Sequence, residues 1–130
     1  MDATVVGLIV FGCTFAGALL HLLNHAVFKS LLFLGAGSVL HASGTGEIDE
    51  LGGLAKRMPS TALFFLVGSV SICGLPPFNG FVSEWTIYRA MFLSGHLAGA
   101  TGIVSLALIG GLAAACFAKA YAAVFLGEPR

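Results

Sequence analysis

The 130-residue chain is 58% hydrophobic and only 9% charged, and its formal net charge is zero. Soluble domains carry about 25% charged residues, and a soluble chain this short needs more polar side chains to cover its apolar surface. The composition therefore indicates an integral membrane protein whose surroundings are the lipid bilayer. Nothing in the charge balance indicates a nucleic-acid partner.

The three cysteines, Cys13, Cys73 and Cys116, are far apart, and each lies in an apolar run. Because no CxxC pair occurs, the sequence indicates neither a zinc site nor a disulfide framework. We expect all three to be small buried hydrophobic residues.

The first apolar run covers residues 3–42 and is longer than the roughly 20 residues that one membrane crossing needs. No turn signal divides it, so the sequence predicts one long helix that is tilted or bent near Gly12 and Gly17. Its main polar interruptions are His21, Asn24, His25 and Lys29.

Residues 43–58 form the most polar stretch of the chain. We expect a surface loop, with a short interfacial turn over residues 49–56. Pro59 then suits the first turn of a new helix, where its missing N–H has no helical partner to lose.

The second apolar run, residues 59–94, is interrupted by the sequence GLPPFNG at 74–80. Pro76 and Pro77 remove two backbone donors, so a continuous helix cannot pass through. The part before the break is about 24 Å long at 1.5 Å per residue, which is short for a full crossing. The sequence therefore predicts a discontinuous helix whose break lies at or within the bilayer.

The third run, residues 97–126, is rich in glycine and alanine and is followed by Gly127. Small residues allow membrane helices to approach closely, so we expect near neighbours for this helix. The fold class is thus all-α integral membrane, with three transmembrane helices in a single segment, 1–130. Lys56, Arg57 and Arg130 favour a cytoplasmic location for the 43–58 loop and the C-terminus.

His21, His25 and Lys29 recur every four residues, which puts them on one stripe about 12 Å long of the first helix. Ionisable side chains inside a bilayer are costly and usually mark an ion path. Histidine titrates near neutral pH, and three such groups can pass protons through water. Two alternatives are hydrogen-bonded packing histidines and a metal site, the latter lacking a third and fourth ligand.

Glu84 follows the proline break closely enough to feel the positive end of a new helix, which favours the carboxylate, whereas burial favours the neutral acid. Its protonation is then sensitive to its neighbours, as at the broken helices of transporters. The alternative is an interfacial carboxylate paired with Arg89. Arg89, Trp85 and Tyr88 also suit an interfacial belt, and Lys119 is close enough to the end of its helix to reach the surface.

Four segments in order resemble the antiporter-like, proton-conducting membrane subunits of respiratory complex I, of cation/proton antiporters and of membrane-bound [NiFe] hydrogenases. They are HxxxHxxxK at 21–29, FLGAGSV at 33–39, LGGLAKRMP at 51–59 and LPPFNGFVSEW at 75–85. The resemblance is strongest to the hydrogenase-4 and formate hydrogenlyase branch. It covers nearly all of this chain but only part of a family member, and it resembles three consecutive helices of the second inverted repeat.

The resemblance implies part of a proton-translocating subunit of the prokaryotic inner membrane. His21, His25 and Lys29 would belong to a central polar axis, Glu84 would be an outlet group, and Lys119 would match a lysine of the hydrogenase branch. Such subunits hold no cofactor or metal and no catalytic site of their own. Their partners are other membrane subunits and, through them, a peripheral redox arm.

The first repeat of the family is absent from these 130 residues. We therefore expect the chain to be a fragment or one piece of a larger assembly. Two other functions remain open: a sodium/proton antiporter subunit of the same fold, and a structural membrane subunit without ion transport.

Overall fold

The computed structural model describes residues 2–128, with only the backbone of Ala3; Arg130, on which part of the expected orientation rests, lies outside the described residues. The described residues form helices joined by turns and loops, without a β-strand. Its four α-helices are α1 (Ala3–Ser43), α2 (Pro59–Ile72), α3 (Asn79–Ser94) and α4 (Leu97–Tyr121), and a π-helical turn, Ala122–Leu126, extends α4.

Helix α1 is a single helix of 41 residues that continues through Gly12 and Gly17. At 1.5 Å per residue it is about 62 Å long, twice the thickness of a bilayer hydrocarbon core. Gly44 ends it in the left-handed conformation, with its N–H donating to the carbonyl of Leu40. Glycine adopts this conformation without steric cost, so the helix stops where the polar loop begins.

Helices α2 and α3 follow one another along α1 and run antiparallel to it. The N-terminal half of α1 contacts α3, where Gly17 faces Ile87, and its C-terminal half contacts α2, where Gly35 faces Phe65. Phe28 of α1 lies at the level of the break, close to Gly80. The two short helices, about 21 Å and 24 Å long, therefore form one interrupted crossing beside the middle of α1.

Helix α4 runs antiparallel to the interrupted crossing. Near its start, Gly99 and Gly102 contact Met91 of α3, as expected for small residues. Gly110 and Gly111 instead have no such neighbour within 4 Å, because they face a cavity. Leu97–Leu126 and Thr4–Ser43 are each long and apolar enough to cross a membrane.

The loop between α1 and α2 contains two short 3₁₀ turns, Ile48–Glu50 and Leu54–Lys56, rather than one turn over 49–56. Leu51 and Leu54 are buried against Phe125, which is 1% exposed. This loop and the C-terminal turn therefore lie at the same end of the molecule. We call it the loop end, and the opposite end, at Gly95, the turn end.

The prediction of an all-α fold with a second crossing interrupted at Pro76 and Pro77 is confirmed. The expectation that all three cysteines are buried is wrong. Cys13 and Cys116 are exposed, since they lie on outer faces of α1 and α4 that no other described helix covers, and Cys73 is half-buried.

Candidate functional site

The stripe formed by His21, His25 and Lys29 lies on the side of α1 that adjoins the interrupted crossing, and all three side chains are half-buried. The ring centroids of His21 and His25 are 6.1 Å apart. Phe28 packs edge-on against both rings, with centroid distances of 6.3 Å and 5.4 Å. The two imidazoles are thus neighbours in a partly apolar surrounding rather than solvated surface groups.

Two side-chain hydrogen bonds join α1 to the first turn of α3. The Nδ1 atom of His21 lies 3.1 Å from the Oγ of Ser83. The amide of Asn24 donates to the carbonyl oxygen of Asn79 over 3.0 Å. Because His21 and Asn24 are three residues apart, they lie on one face of α1 and reach successive parts of the same helical turn.

Lys29 lies one helical turn beyond His25, close to where α1 passes from α3 to α2. Its Nζ is 5.4 Å from the centroid of the Phe33 ring, within the range of a cation–π contact. A cavity of about 170 Å³ adjoins it, lined also by Phe65 of α2 and Phe117 of α4. The Lys29 side chain therefore lines a space bordered by three helices.

Glu84 is half-buried on α3 and lies next to Ser83, the hydrogen-bond partner of His21. Its carboxylate lies over the backbone of Gly74, so a Cβ at Gly74 would collide with it. Gly74 has a φ of +64°, a value that glycine adopts without strain. Because Gly74 has no side chain, the backbone at the break is in direct contact with the Glu84 carboxylate.

Glu84 also lines a cavity of about 780 Å³ between α3 and α4. Trp85, Tyr88 and Arg89 contribute to its wall from α3, and small residues of α4, including Gly110 and Gly111, line the opposite side. The three residues considered for an interfacial belt therefore line the same cavity as Glu84. The cavity provides room for water beside the carboxylate.

His21 and His25 are neighbours, and His21 contacts Ser83, the residue before Glu84. The Glu84 side chain itself lies over Gly74 and lines the cavity between α3 and α4. Lys29 lines a separate cavity between α1, α2 and α4, and Lys119 is exposed on α4. Among residues 2–128, no group of three or more His, Cys, Asp or Glu side chains could hold a metal ion.

No role was predicted from the sequence for Ser83, Asn24 or Gly74. Asn24 could have been predicted to make a contact between helices, since an amide within an apolar helix needs a hydrogen-bond partner. For Ser83 the only indication in the sequence was its position directly before Glu84. Gly74 could be recognised only as part of the break, because its proximity to Glu84 depends on how the chain folds back.

A sequence profile described as the transmembrane region of NADH:quinone oxidoreductases and Mrp antiporters matches residues 1–110. The match covers well over half of the chain. The chain belongs to this antiporter family. It is accordingly an integral membrane protein, as its exposed apolar helices require.

Relatives within the antiporter family come from several complexes. Hydrogenase-4 component B of Escherichia coli K12 is 47% identical over 98% of this chain and 19% of its own length. Formate hydrogenlyase subunit 3 of the same strain is 47% identical over 88% of this chain and 20% of its length. A Na(+)/H(+) antiporter subunit of Bacillus subtilis 168 is 46% identical over 61% of this chain and 10% of its length.

The chain thus spans about a fifth of the length of the first two relatives. The resemblance to the antiporter-like family, and within it to the hydrogenase-4 and formate hydrogenlyase branch, is confirmed. These relatives and the chain are similar in sequence and belong to the same family of membrane proteins.

Proposed function

We propose that the chain forms part of a proton-translocating membrane subunit of a hydrogenase-type or NADH:quinone oxidoreductase-like complex. Protons pass along the stripe of His21, His25 and Lys29, with Glu84 near an exit and water between the groups. The observation that carries the proposal is the contact between His21 and Ser83, which joins the stripe to the helix of Glu84 beside the break.

Three properties of the site support a proton path. The ring centroids of His21 and His25 lie 6.1 Å apart, close enough for a single water to bridge the two imidazoles, and an imidazole can both accept and donate a proton. The cavity beside Glu84 is large enough to hold several waters. The break removes helical hydrogen bonds at membrane depth, where non-helical backbone is tolerated only when it is buried in protein or lines a cavity.

Lys119 is a further member of the proposed path, supported by the resemblance to the hydrogenase branch. Its side chain is exposed on α4. It would serve as a later site, reached through water or through a side chain of another helix.

The proposal predicts that Lys29→Ala and Glu84→Gln each abolish proton translocation, because each removes a group that must take up and release a proton. The measurement is the decay of a pH gradient or its formation in native membrane vesicles, normalised to the amount of assembled complex.

Lys56→Ala and Glu47→Gln are matched controls, since they make the same chemical changes at exposed loop residues. Both should leave the rate unchanged. Undiminished translocation in both site variants would contradict the proposal.

The similarity to Na(+)/H(+) antiporter subunits favours sodium as a second candidate ion. Replacing external sodium with choline distinguishes the two ions, since a proton path keeps its rate and a sodium-coupled path loses it. A purely structural subunit would instead keep its rate when all of the stripe and Glu84 are neutralised, and would lose only assembly.

The proposed surroundings follow from the same function. The partners are other membrane subunits and, through them, a peripheral redox arm. We place the loop end on the cytoplasmic side of a prokaryotic inner membrane, because Lys56 and Arg57 lie there. The common location of the 43–58 loop and the end of α4 supports one side for both.

A further inference from the structure

Ser83 is the most enclosed polar residue at the contact between α1 and α3. Its side chain is 0% exposed. Gly80 and Ala90, on either side of it along α3, are also buried. Since no water reaches the hydroxyl group, its hydrogen bonds are made entirely with the protein.

Three partners lie within hydrogen-bonding distance of the Ser83 hydroxyl oxygen. They are the carbonyl oxygens of Gly80 at 2.9 Å and Asn79 at 3.2 Å, and the Nδ1 of His21 at 3.1 Å. A hydroxyl group has one hydrogen to donate and lone pairs with which to accept. Both carbonyls can only accept, and serines within helices commonly donate to the carbonyl of the preceding turn.

When the Ser83 hydrogen is donated to the carbonyl of Gly80, the remaining contact requires His21 to be the donor. The hydrogen of the neutral imidazole is then on Nδ1, and Nε2 carries the lone pair. The bond from Asn24 to Asn79 holds the same helical turn in place, so α3 cannot rotate away from His21 without losing both contacts.

We propose that Ser83 is a positioning residue that holds His21 in the tautomer protonated at Nδ1. This rests on the proposed function, because it makes Nε2 the ring atom that serves the proton path. A proton that arrives at Nε2 converts the ring to imidazolium and leaves again from Nε2. The hydrogen on Nδ1 stays in its bond to Ser83 throughout.

The tautomer is measured by ¹⁵N NMR of histidine-labelled protein in lipid, at about pH 8.5, two units above the ordinary pKa of histidine. The spectrum of His21→Gln assigns the His21 signals by difference. We expect a protonated Nδ1 and an unprotonated Nε2 in the unsubstituted protein. A protonated Nε2 there overturns the proposal without the need for any further variant.

Ser83→Ala removes the acceptor without adding volume. We expect the His21 signals to shift toward the Nε2-protonated tautomer and the rate of proton translocation to fall about fivefold, the factor of one ordinary hydrogen bond. A fall in rate with an unchanged tautomer would mean that Ser83 only supports packing, and this overturns the proposal.

Ser69→Ala is the matched control. Ser69 is buried at 5% exposure, and its hydroxyl group donates only within α2, to the carbonyl of Phe65. It should change neither the His21 signals nor the rate. If Lys29→Ala and Glu84→Gln keep full translocation while Ser83→Ala changes the tautomer, the proposed function fails and the role of Ser83 in holding His21 stands.

Discussion

At the scale of single residues, Gly74 determines what surrounds the Glu84 carboxylate. It has a φ of +64° and lies directly beneath the carboxylate. Any side chain at this position is strained by the backbone and also occupies the space of the carboxyl group. The backbone conformation at Gly74 therefore determines where the carboxylate of Glu84, a member of the proposed proton path, can lie.

We expect Gly74→Ala to destabilise the protein by more than about 1 kcal/mol, because an alanine at positive φ alone costs that amount. The added methyl group must also displace the Glu84 side chain, so proton translocation should fall at least tenfold. The two readouts are thermal unfolding in lipid nanodiscs and translocation in native vesicles.

Gly95→Ala provides the comparison, since Gly95 has a φ of +63° and nothing within 4 Å of an added Cβ. It should show the loss of stability from backbone strain while keeping the translocation rate. Equal rates for the two variants would show that the proximity of Gly74 to Glu84 has no functional consequence.

The residues of the stripe were predictable from sequence because helical spacing alone puts positions four apart on one face. Ser83 and Gly74 were not, because their importance depends on contacts between helices. Those contacts require the register of α1 against α3, and no periodicity within one segment contains that information. The proposed roles of all these residues stay predictions.

At the scale of helices, α1 and α3 approach closely through small residues. Gly17 of α1 is buried, and a Cβ there would lie 3.0 Å from a side-chain carbon of Ile87 and 3.3 Å from Thr86. Close approach of this kind drives helix association in membranes, where lipid competes for apolar contacts. It also brings His21, one turn further along, within reach of Ser83.

Gly17→Ala should therefore destabilise the protein by about 1 kcal/mol relative to Gly12→Ala, since over-packing typically costs about 1–3 kcal/mol. Both substitutions lie in α1 and change helix propensity equally, but nothing lies within 4 Å of a Cβ at Gly12. Thermal unfolding in lipid nanodiscs measures the difference. Equal midpoints would indicate that the α1–α3 contact adjusts without cost.

The sequence was sufficient to predict the helices and the position of the break. Chain hydropathy and the two prolines determine these features locally. It was not sufficient to predict that Leu51 and Leu54 are buried under Phe125. The polar composition of the loop predicted an exposed segment. The burial of the two leucines depends on the C-terminal turn, which is distant in sequence.

At the scale of the whole molecule, three elements run antiparallel between the loop end and the turn end. They are α1, the interrupted crossing of α2 and α3, and α4. The loop end has the buried apolar cluster and two basic residues, Lys56 and Arg57. The turn end has Gly95 and His96 and no lysine or arginine between 90 and 118. This asymmetry makes the orientation in the membrane testable with two exposed positions.

We expect Glu47→Cys at the loop end to react with a membrane-impermeant maleimide only after cells are permeabilised, because that end is proposed to be cytoplasmic. His96→Cys at the turn end should react in intact cells. Both substitutions are made after Cys13, Cys73 and Cys116 have been replaced by serine or alanine, and labelling is measured by gel shift.

The background without the three cysteines is the control and should remain unlabelled under both conditions. The reverse labelling pattern would invert the proposed orientation. It would leave the fold itself unaffected, since both ends of the molecule would only exchange sides.

The continuity of α1 has a consequence for how distant substitutions act. The break between α2 and α3 lacks a continuous helical ladder, and its hydrogen bonds are those of turns, such as Leu75 N–H to the carbonyl of Val70 and Phe78 N–H to that of Leu75. The two short helices are also held by an intact helix that contacts one of them through Gly35 and the other through Gly17. We therefore expect over-packing at Gly17 or at Gly35, about 27 Å apart along α1, to displace α3 or α2 relative to the same unbroken helix.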